Sequence, residues 1–272
     1  MSISSERFCA LAGLLKKETA VVIDSGREYL IEARLTQIAY ETGFDSLTDM
    51  IDQVLSDPRS SLSKRVLLAL TTAETSFFRD AAPFEALKNR ILPEIIKRKT
   101  GARNLSIWSV GCASGQELYS VAILLAENFP ELHDWDVRLV GSDINPSLLI
   151  QAKAGTYSAV EANRGLSPEL INRYLISGKG GYQIRDEIRQ KTSFYERNIL
   201  DSWFPFRADI ILCRNTLIYF DIPDRIKALR RFHRALNDRG YLLMGTAEST
   251  RHLHSGFSLA DINGTNIFMK AS

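Results

Sequence analysis

The sequence predicts an α/β fold, a mostly parallel sheet behind an all-helical front segment, with a small antiparallel insertion. Three observations predict it. Up to about Thr72, apolar residues recur at helical spacing with no strand signal. From Leu105 onward, short apolar runs alternate with helical patterns. The first of those runs, Ile107 to Glu117 (IWSVGCASGQE), breaks at Gly111, turns through small residues to Gly115 and enters a helical pattern. Strand, glycine turn and helix in that order let backbone N–H groups approach a ligand without side-chain obstruction. Taken alone, the G-x-x-x-G spacing also fits a tight connection with no ligand.

In the front segment, Ile31, Leu35 and Ile38 share one helical face and Gly43 follows as a stop. Ser46 and Asp49 resemble a capping box, opening a helix that carries Leu47, Met50, Ile51, Val54 and Leu55 until Asp57 and Pro58 end it. Another helix carries Val66, Leu67 and Leu70. The stretch TTAETSFFRD, Thr71 to Asp80, breaks the pattern, and its paired phenylalanines make it a poor surface linker. A helix from Pro83 follows, with Phe84, Leu87, Ile91 and Ile95 inward and Pro93 kinking it or starting a second piece. Its basic outer face (Lys88, Arg90, Lys97, Arg98, Lys99) and Arg103 beyond it read either as a solvated face or as a surface for an acidic partner.

Within the sheet region, the helix after the glycine turn buries Leu118, Ala122, Leu125 and Ala126. Val137 to Gly141 is the second strand, ending at Ser142 and Asp143, and Asn145-Pro146 starts a helix that Gly155 closes. An acid at the end of strand two is where nucleotide-binding sheets grip a ribose diol. Its separation from the glycines exceeds the roughly 20 residues of the dinucleotide fingerprint, which disfavours NAD and suits another adenosine ligand. Leu166 to Asn198 interrupts the alternation, and its glycines and short β-forming runs, including Gly181–Ile184 and Thr192–Glu196, predict an antiparallel excursion. Ala208 to Cys213, apolar but for Asp209, is a buried strand running into Arg214 and Asn215, a polar pair where open α/β sheets bind ligands. A helix with Ile226, Leu229, Phe232 and Leu236, a turn at Asp238–Gly240, the run Tyr241–Met244 and a closing hairpin within Phe257–Met269 complete the chain.

The 272 residues, 45% apolar and 24% charged, are those of a globular chain with an ordinary core. A net charge of +2 gives no general argument for nucleic acid or anionic membrane. No basic-then-apolar leader opens the sequence, and no apolar run approaches the roughly 20 residues of a membrane helix. Cys9, Cys112 and Cys213 are far apart and not in C-x-x-C spacing, so they read as reduced thiols of a cytoplasmic protein. His252 and His254 lack neighbouring ligands in metal spacing and read as a solvent-facing pair, so no metal is expected.

Six pieces together resemble one family, the chemotaxis-receptor methyltransferases of CheR type. They are TTAETSFFRD (Thr71–Asp80), VGCASGQELYS (Val110–Ser120), GSDIN (Gly141–Asn145), ERNIL (Glu196–Leu200), DIILCRNTLIYF (Asp209–Phe220) and GYLLMGTAES (Gly240–Ser249). The resemblance implies a class I methyltransferase (Rossmann-like) sheet domain that uses S-adenosylmethionine and releases S-adenosylhomocysteine. It implies a helical domain over 1–72, a linker over 73–84 contributing to the cofactor site, and a methyltransferase domain over 85–272 with a β-subdomain at about 176–197. By the same resemblance Thr75 and Arg79 reach the methionine end of the cofactor, and Gly111 in the glycine turn and Glu117, the acidic residue after it, are cofactor-binding. Asp143 holds the ribose, Asn198 and Ile199 flank the adenine, Arg214 and Asn215 close the pocket near the sulfonium, and Tyr219 stands at its mouth. The implied partners are cytoplasmic methylation helices of chemoreceptors, with no nucleic acid, no membrane insertion and a monomeric chain.

Three departures from the family pattern matter. Ala73 stands where the family often has Asn, so one cofactor hydrogen bond is in doubt, and Gln116 replaces a frequent glutamate. The loop Ser177–Tyr182 looks shorter than in members that tether to a receptor's C-terminal pentapeptide, which predicts that no tether is required. A glutamate carboxylate with a reference pKa of about 4.3 is already ionised at neutral pH, so no general base is needed. Arg79 and Tyr219 are the expected catalytic groups, steering the carboxylate toward the methyl. Besides small-molecule O-methylation, for which the helical front domain is unnecessary, two other classes stay open. One is a sensory adaptor that binds S-adenosylmethionine without catalysis. The other is a nucleic-acid methyltransferase, although the N/D-P-P-Y/F cage expected for base amino groups is absent from the sequence.

Overall fold

The structure, a computed structural model, describes residues 3–178, 180–201, 207–250, 256–260, 262 and 265–271. His252 and His254 lie outside them. The chain divides into two compact units, one of Met1–Ala73 with Tyr219–Asp224, the other of Glu74–Ile218 with Arg225–Ser272. The first contains α1 (Ser5–Thr19), α2 (Glu28–Glu41), α3 (Leu47–Ser56) and α4 (Ser61–Leu70). Serine hydroxyls start three of these helices. Ser4, Ser46 and Ser60 accept from the N–H groups of Arg7, Asp49 and Ser63, satisfying donors a helix leaves free. The predicted apolar positions converge, with Ile31, Leu35, Met50, Ile51, Val54, Val66, Leu67 and Leu70 buried around Leu11 and Leu15. Each contributes about 1.5–3 kcal/mol by leaving water. Tyr219–Asp224 joins this unit through an antiparallel bridge between Val21 and Phe220 and a 2.5 Å ion pair between Lys16 and Asp221.

In the second unit, α5 (Ala81–Ala86) passes through a π-helical turn, Leu87–Ile91, into α6 (Leu92–Lys99). The Leu92 N–H donates to the Leu87 carbonyl, five residues back, and Pro93 then falls in the first turn of a new helix. There its missing N–H costs nothing. Next come β1 (Asn104–Val110), α7 (Gln116–Asn128), β2 (Asp136–Asp143) and α8 (Pro146–Ala154). The insertion contains β3 (Thr156–Tyr157), α9 (Ala159–Asn163), α10 (Pro168–Tyr174), β4 (Leu175–Gly178), β5 (Gly181–Ile184) and α11 (Asp186–Arg189). The chain continues through β6 (Thr192–Glu196), β7 (Ala208–Cys213), α12 (Ile222–Ala235), β8 (Leu236–Met244), β9 (Phe257–Leu259) and β10 (Ile267–Lys270).

The main sheet runs β6-β2-β1-β7-β8-β10-β9. The first five strands are parallel, while β10 and β9 form the predicted closing hairpin. The chain winds outward from β1 to β2 on one side and later to β7 on the other, so the strand order reverses at β1. Open sheets bind ligands beyond the carboxyl ends of their strands at such a point. Among the described residues no helix is long and apolar enough to cross a membrane.

Two predicted boundaries change. β8 begins at Leu236, so Leu236 leaves the preceding helix and the expected turn at Asp238–Gly240 lies within the strand, where its register against β7 shifts. Thr192–Glu196 is not part of the antiparallel excursion but pairs in parallel with β2 as the edge of the main sheet. The small sheet is instead β3-β5-β4, so it begins at Thr156 and ends at Ile184. Phe194 decides the matter. Its ring fills the space over Gly141, where a Cβ would stand 2.6 Å from Phe194 Cδ1. Alternation over five residues marks a strand without saying which sheet receives it.

Candidate active site

The turn between β1 and α7 is tied down by its own backbone. Gly111 N–H and Cys112 N–H both donate to the Ser142 carbonyl, at 2.8 and 3.0 Å, and Gly115 N–H donates to the Cys112 carbonyl at 2.9 Å. Ala113 N–H donates to Asp143 Oδ2 at 2.9 Å. Gly111 has φ 66°, and a Cβ there would stand 2.6 Å from Thr216 Oγ1. Only glycine lets this turn close against the loop after β7. With these four donors occupied, the turn is not the open amide cradle that a phosphate needs.

Asp143 ends β2 and is half-buried. Its Oδ1 accepts from Asn145 N–H at 2.8 Å. Burial pushes its carboxyl pKa above the ordinary value, outweighing the backbone N–H groups that pull it down. A carboxylate has about four lone-pair sites, so these backbone bonds leave room for a further donor. Arg197 N–H donates to the Asp143 carbonyl at 2.9 Å, which brings Asn198 and Ile199 to the same strand end. Asn198 Oδ1 accepts from Leu200 N–H at 2.8 Å, and the Ile199 carbonyl accepts from Arg231 Nη1 at 3.0 Å, so this loop is held in shape.

Across β1, Arg214 follows β7 with its side chain only 2% exposed. Its Nη1 donates to Glu117 Oε2 at 3.0 Å, while Nη2 donates to the Arg79 carbonyl at 2.6 Å and to Asp80 Oδ2 at 2.8 Å. The guanidinium also lies 5.6 Å from the centre of the Phe84 ring. Glu117 Oε1 accepts from Ser109 Oγ at 2.8 Å. Arg214 is therefore a clamp that fixes strand end, helix start and linker together. Its neighbour Asn215 has φ 56°, and its Oδ1 is buried without a hydrogen-bond partner.

The linker lies along this edge. Phe77 is buried, Phe78 N–H donates to Ser120 Oγ at 2.9 Å, and Arg79 Nη1 donates to the Glu74 carbonyl at 2.7 Å. Thr75 and Arg79 are half-buried. Thr75, Arg79, Gly111, Glu117, Asp143, Asn198, Ile199, Arg214 and Asn215 thus all belong to the sheet unit, whereas Ala73 and Tyr219 belong to the helical one. Ala73 is exposed, and the Tyr219 carbonyl accepts from Val22 N–H at 2.8 Å. Burial pushes the thiols of Cys112 and Cys213 well above the ordinary cysteine value, which makes them poor nucleophiles.

Three further residues shape the site. Glu248 is a buried carboxylate under the Asn215 loop, Asp80 pairs with Arg214, and Gly165 has φ 109° with its Cα against the linker backbone. The acid in GYLLMGTAES was the one available sequence signal for Glu248. Asp80 closes the piece TTAETSFFRD, while nothing in the sequence marked Gly165.

A family model described as the CheR methyltransferase, SAM binding domain, matches residues 73–265. The chain belongs to the CheR methyltransferase family. It is 37% identical over 265 residues to chemotaxis protein methyltransferase 1 of Pseudomonas aeruginosa, covering 95% of this chain and 96% of that one. It is 34% identical to chemotaxis protein methyltransferase Cher2 of Pseudomonas putida, again over 95% and 96% of the two chains. A chemotaxis protein methyltransferase of Vibrio anguillarum is 33% identical over 97% of this chain and 96% of its own.

As a CheR methyltransferase the chain uses S-adenosylmethionine, and the residues at the strand ends fit that group. An uncharged adenosine with a ribose diol asks for a carboxylate acceptor, which Asp143 offers, and needs no phosphate cradle. The unpartnered Asn215 Oδ1 leaves an acceptor of the kind that an amino-acid ammonium could meet.

Proposed function

We propose that this protein transfers a methyl group from S-adenosylmethionine to glutamate carboxylates on the cytoplasmic methylation helices of chemoreceptors, without pentapeptide tethering and in the cytoplasm. The observation that carries this reading is that Asp143 and the Arg214–Asn215 pair, at the carboxyl ends of β2 and β7, flank β1 at the point of strand reversal. The named relatives add the substrate class.

Bound S-adenosylmethionine supplies a methyl on a sulfonium. An O–CH3 bond forms as the S–CH3 bond breaks, leaving a methyl ester and S-adenosylhomocysteine. The protein aligns the two and excludes water. Asp143 accepts from the ribose hydroxyls, Asn198 and Ile199 flank the adenine, and Asn215 with Thr75 receives the methionine end. Glu117 acts through Arg214, which holds the linker. Arg79 orients the incoming carboxylate, a task suited to a planar guanidinium. The role of Tyr219 rests on the family resemblance alone, as does the place of Ala73 beside the cofactor.

The test is methylation of a purified receptor cytoplasmic fragment with radiolabelled S-adenosylmethionine. Base-labile label on glutamates is expected. Arg79→Ala is expected to lower turnover about a hundredfold, Arg79→Lys less, and the exposed Arg59→Ala not at all. Label stable to alkali, or equal activity in the three variants, overturns the respective assignment.

A further inference from the structure

Glu248 is a carboxylate only 4% exposed whose two oxygens are filled by main-chain donors. Its Oε2 accepts from Asn215 N–H at 2.9 Å and Gly245 N–H at 2.7 Å, and its Oε1 from Thr216 N–H at 3.0 Å and Ile218 N–H at 3.2 Å. Three of these donors belong to the loop that follows β7. The segment that carries Glu248 is braced in turn, because Asn266 Nδ2 donates to the carbonyls of Gly245, Thr246 and Glu248 at 3.0, 2.9 and 2.6 Å. Gly245 makes the close approach possible, since a Cβ there would stand 2.8 Å from Glu248 Oε2 and 2.9 Å from Asn215 N.

Burying a carboxylate is expensive and needs a return. Here it holds Asn215 in the left-handed region, which few side chains adopt, and leaves Asn215 Oδ1 buried and unsatisfied. A fold that keeps an acceptor in that state has a donor to meet it. We propose that Glu248 is a positioning residue for cofactor binding. It does not touch the cofactor but fixes the Asn215 loop so that the carboxamide oxygen meets a cationic N–H donor of the ligand. This inference rests on the proposed use of Asn215 in the cofactor pocket.

Calorimetric titration with S-adenosylhomocysteine tests it on the full chain. Glu248→Gln puts an amide against two N–H groups, and Gly245→Ala crowds the same contact while keeping the charge. The comparison is Asp209→Asn, another buried carboxylate, which accepts from Lys99 Nζ, Ser106 N–H and Asn237 Nδ2 near the opposite end of β7. It lies roughly 16 Å along the strand from Arg214. The dissociation constant is expected to rise about fivefold or more in whichever of the first two variants folds, and less than about twofold in Asp209→Asn, although all three lower the melting temperature. A smaller rise in both site variants, or an equal rise in Asp209→Asn, overturns the role of Glu248. Failure of the unmodified protein to bind would overturn the pocket itself, a separate result.

Discussion

Asp143 is where burial and backbone donors act on one carboxyl, which the proposed function also gives to the ligand. Its pKa is raised, so folding takes up a proton between the ordinary carboxylate value and the raised one. This part of the folding stability is therefore greatest on the acid side and falls as pH rises through that window. In the proposed pocket the ribose hydroxyls donate to the ionised form, which would give cofactor affinity the opposite dependence. Affinity for S-adenosylhomocysteine, followed by calorimetry in a series of mildly acidic buffers, should weaken as pH falls through the window. Asp143→Asn should bind about tenfold more weakly and lose the pH dependence. Asp143 was legible because it stands at a strand end beside a helix start. Glu248 was not, because its value depends on a loop 33 residues earlier in the chain. No local pattern encodes that separation.

Among the elements, the cap at Ser46 and periodic apolar faces made the helices readable, and β7, apolar but for Asp209, announced a central strand. The edge strand β6 was readable as a strand but not as a member of the main sheet, since Phe194 declares its side only once Gly141 is beneath it. Gly165 was silent for a similar reason. A Cβ there would stand 1.8 Å from the Phe77 carbonyl oxygen, so the loop after α9 and the linker meet backbone to side-chain position with no room between. Gly165→Ala is expected to cost about 3 kcal/mol or more in chemical denaturation. It should also weaken cofactor binding by displacing the linker. A stability within experimental error of the unmodified protein would contradict this close approach.

Across the whole chain, the expected division was a helical domain over 1–72, a linker over 73–84 and a sheet domain over 85–272, whereas the helical unit also takes in Ala73 and Tyr219–Asp224. A discontinuous unit cannot be read from composition shifts, because the returning segment is short and ordinary in sequence. The β4–β5 hairpin has its last pair at Gly178 and Gly181. A calorimetric titration with a pentapeptide ending in an aromatic residue should show no micromolar binding, and micromolar binding would restore the tether. The distribution of thiols has a practical consequence for such measurements. Cys112 and Cys213 are sealed in the sheet unit and Cys9 alone faces solvent, on α1. A maleimide fluorophore therefore attaches once, to the native chain, and reports from the helical half while the catalytic half stays chemically untouched.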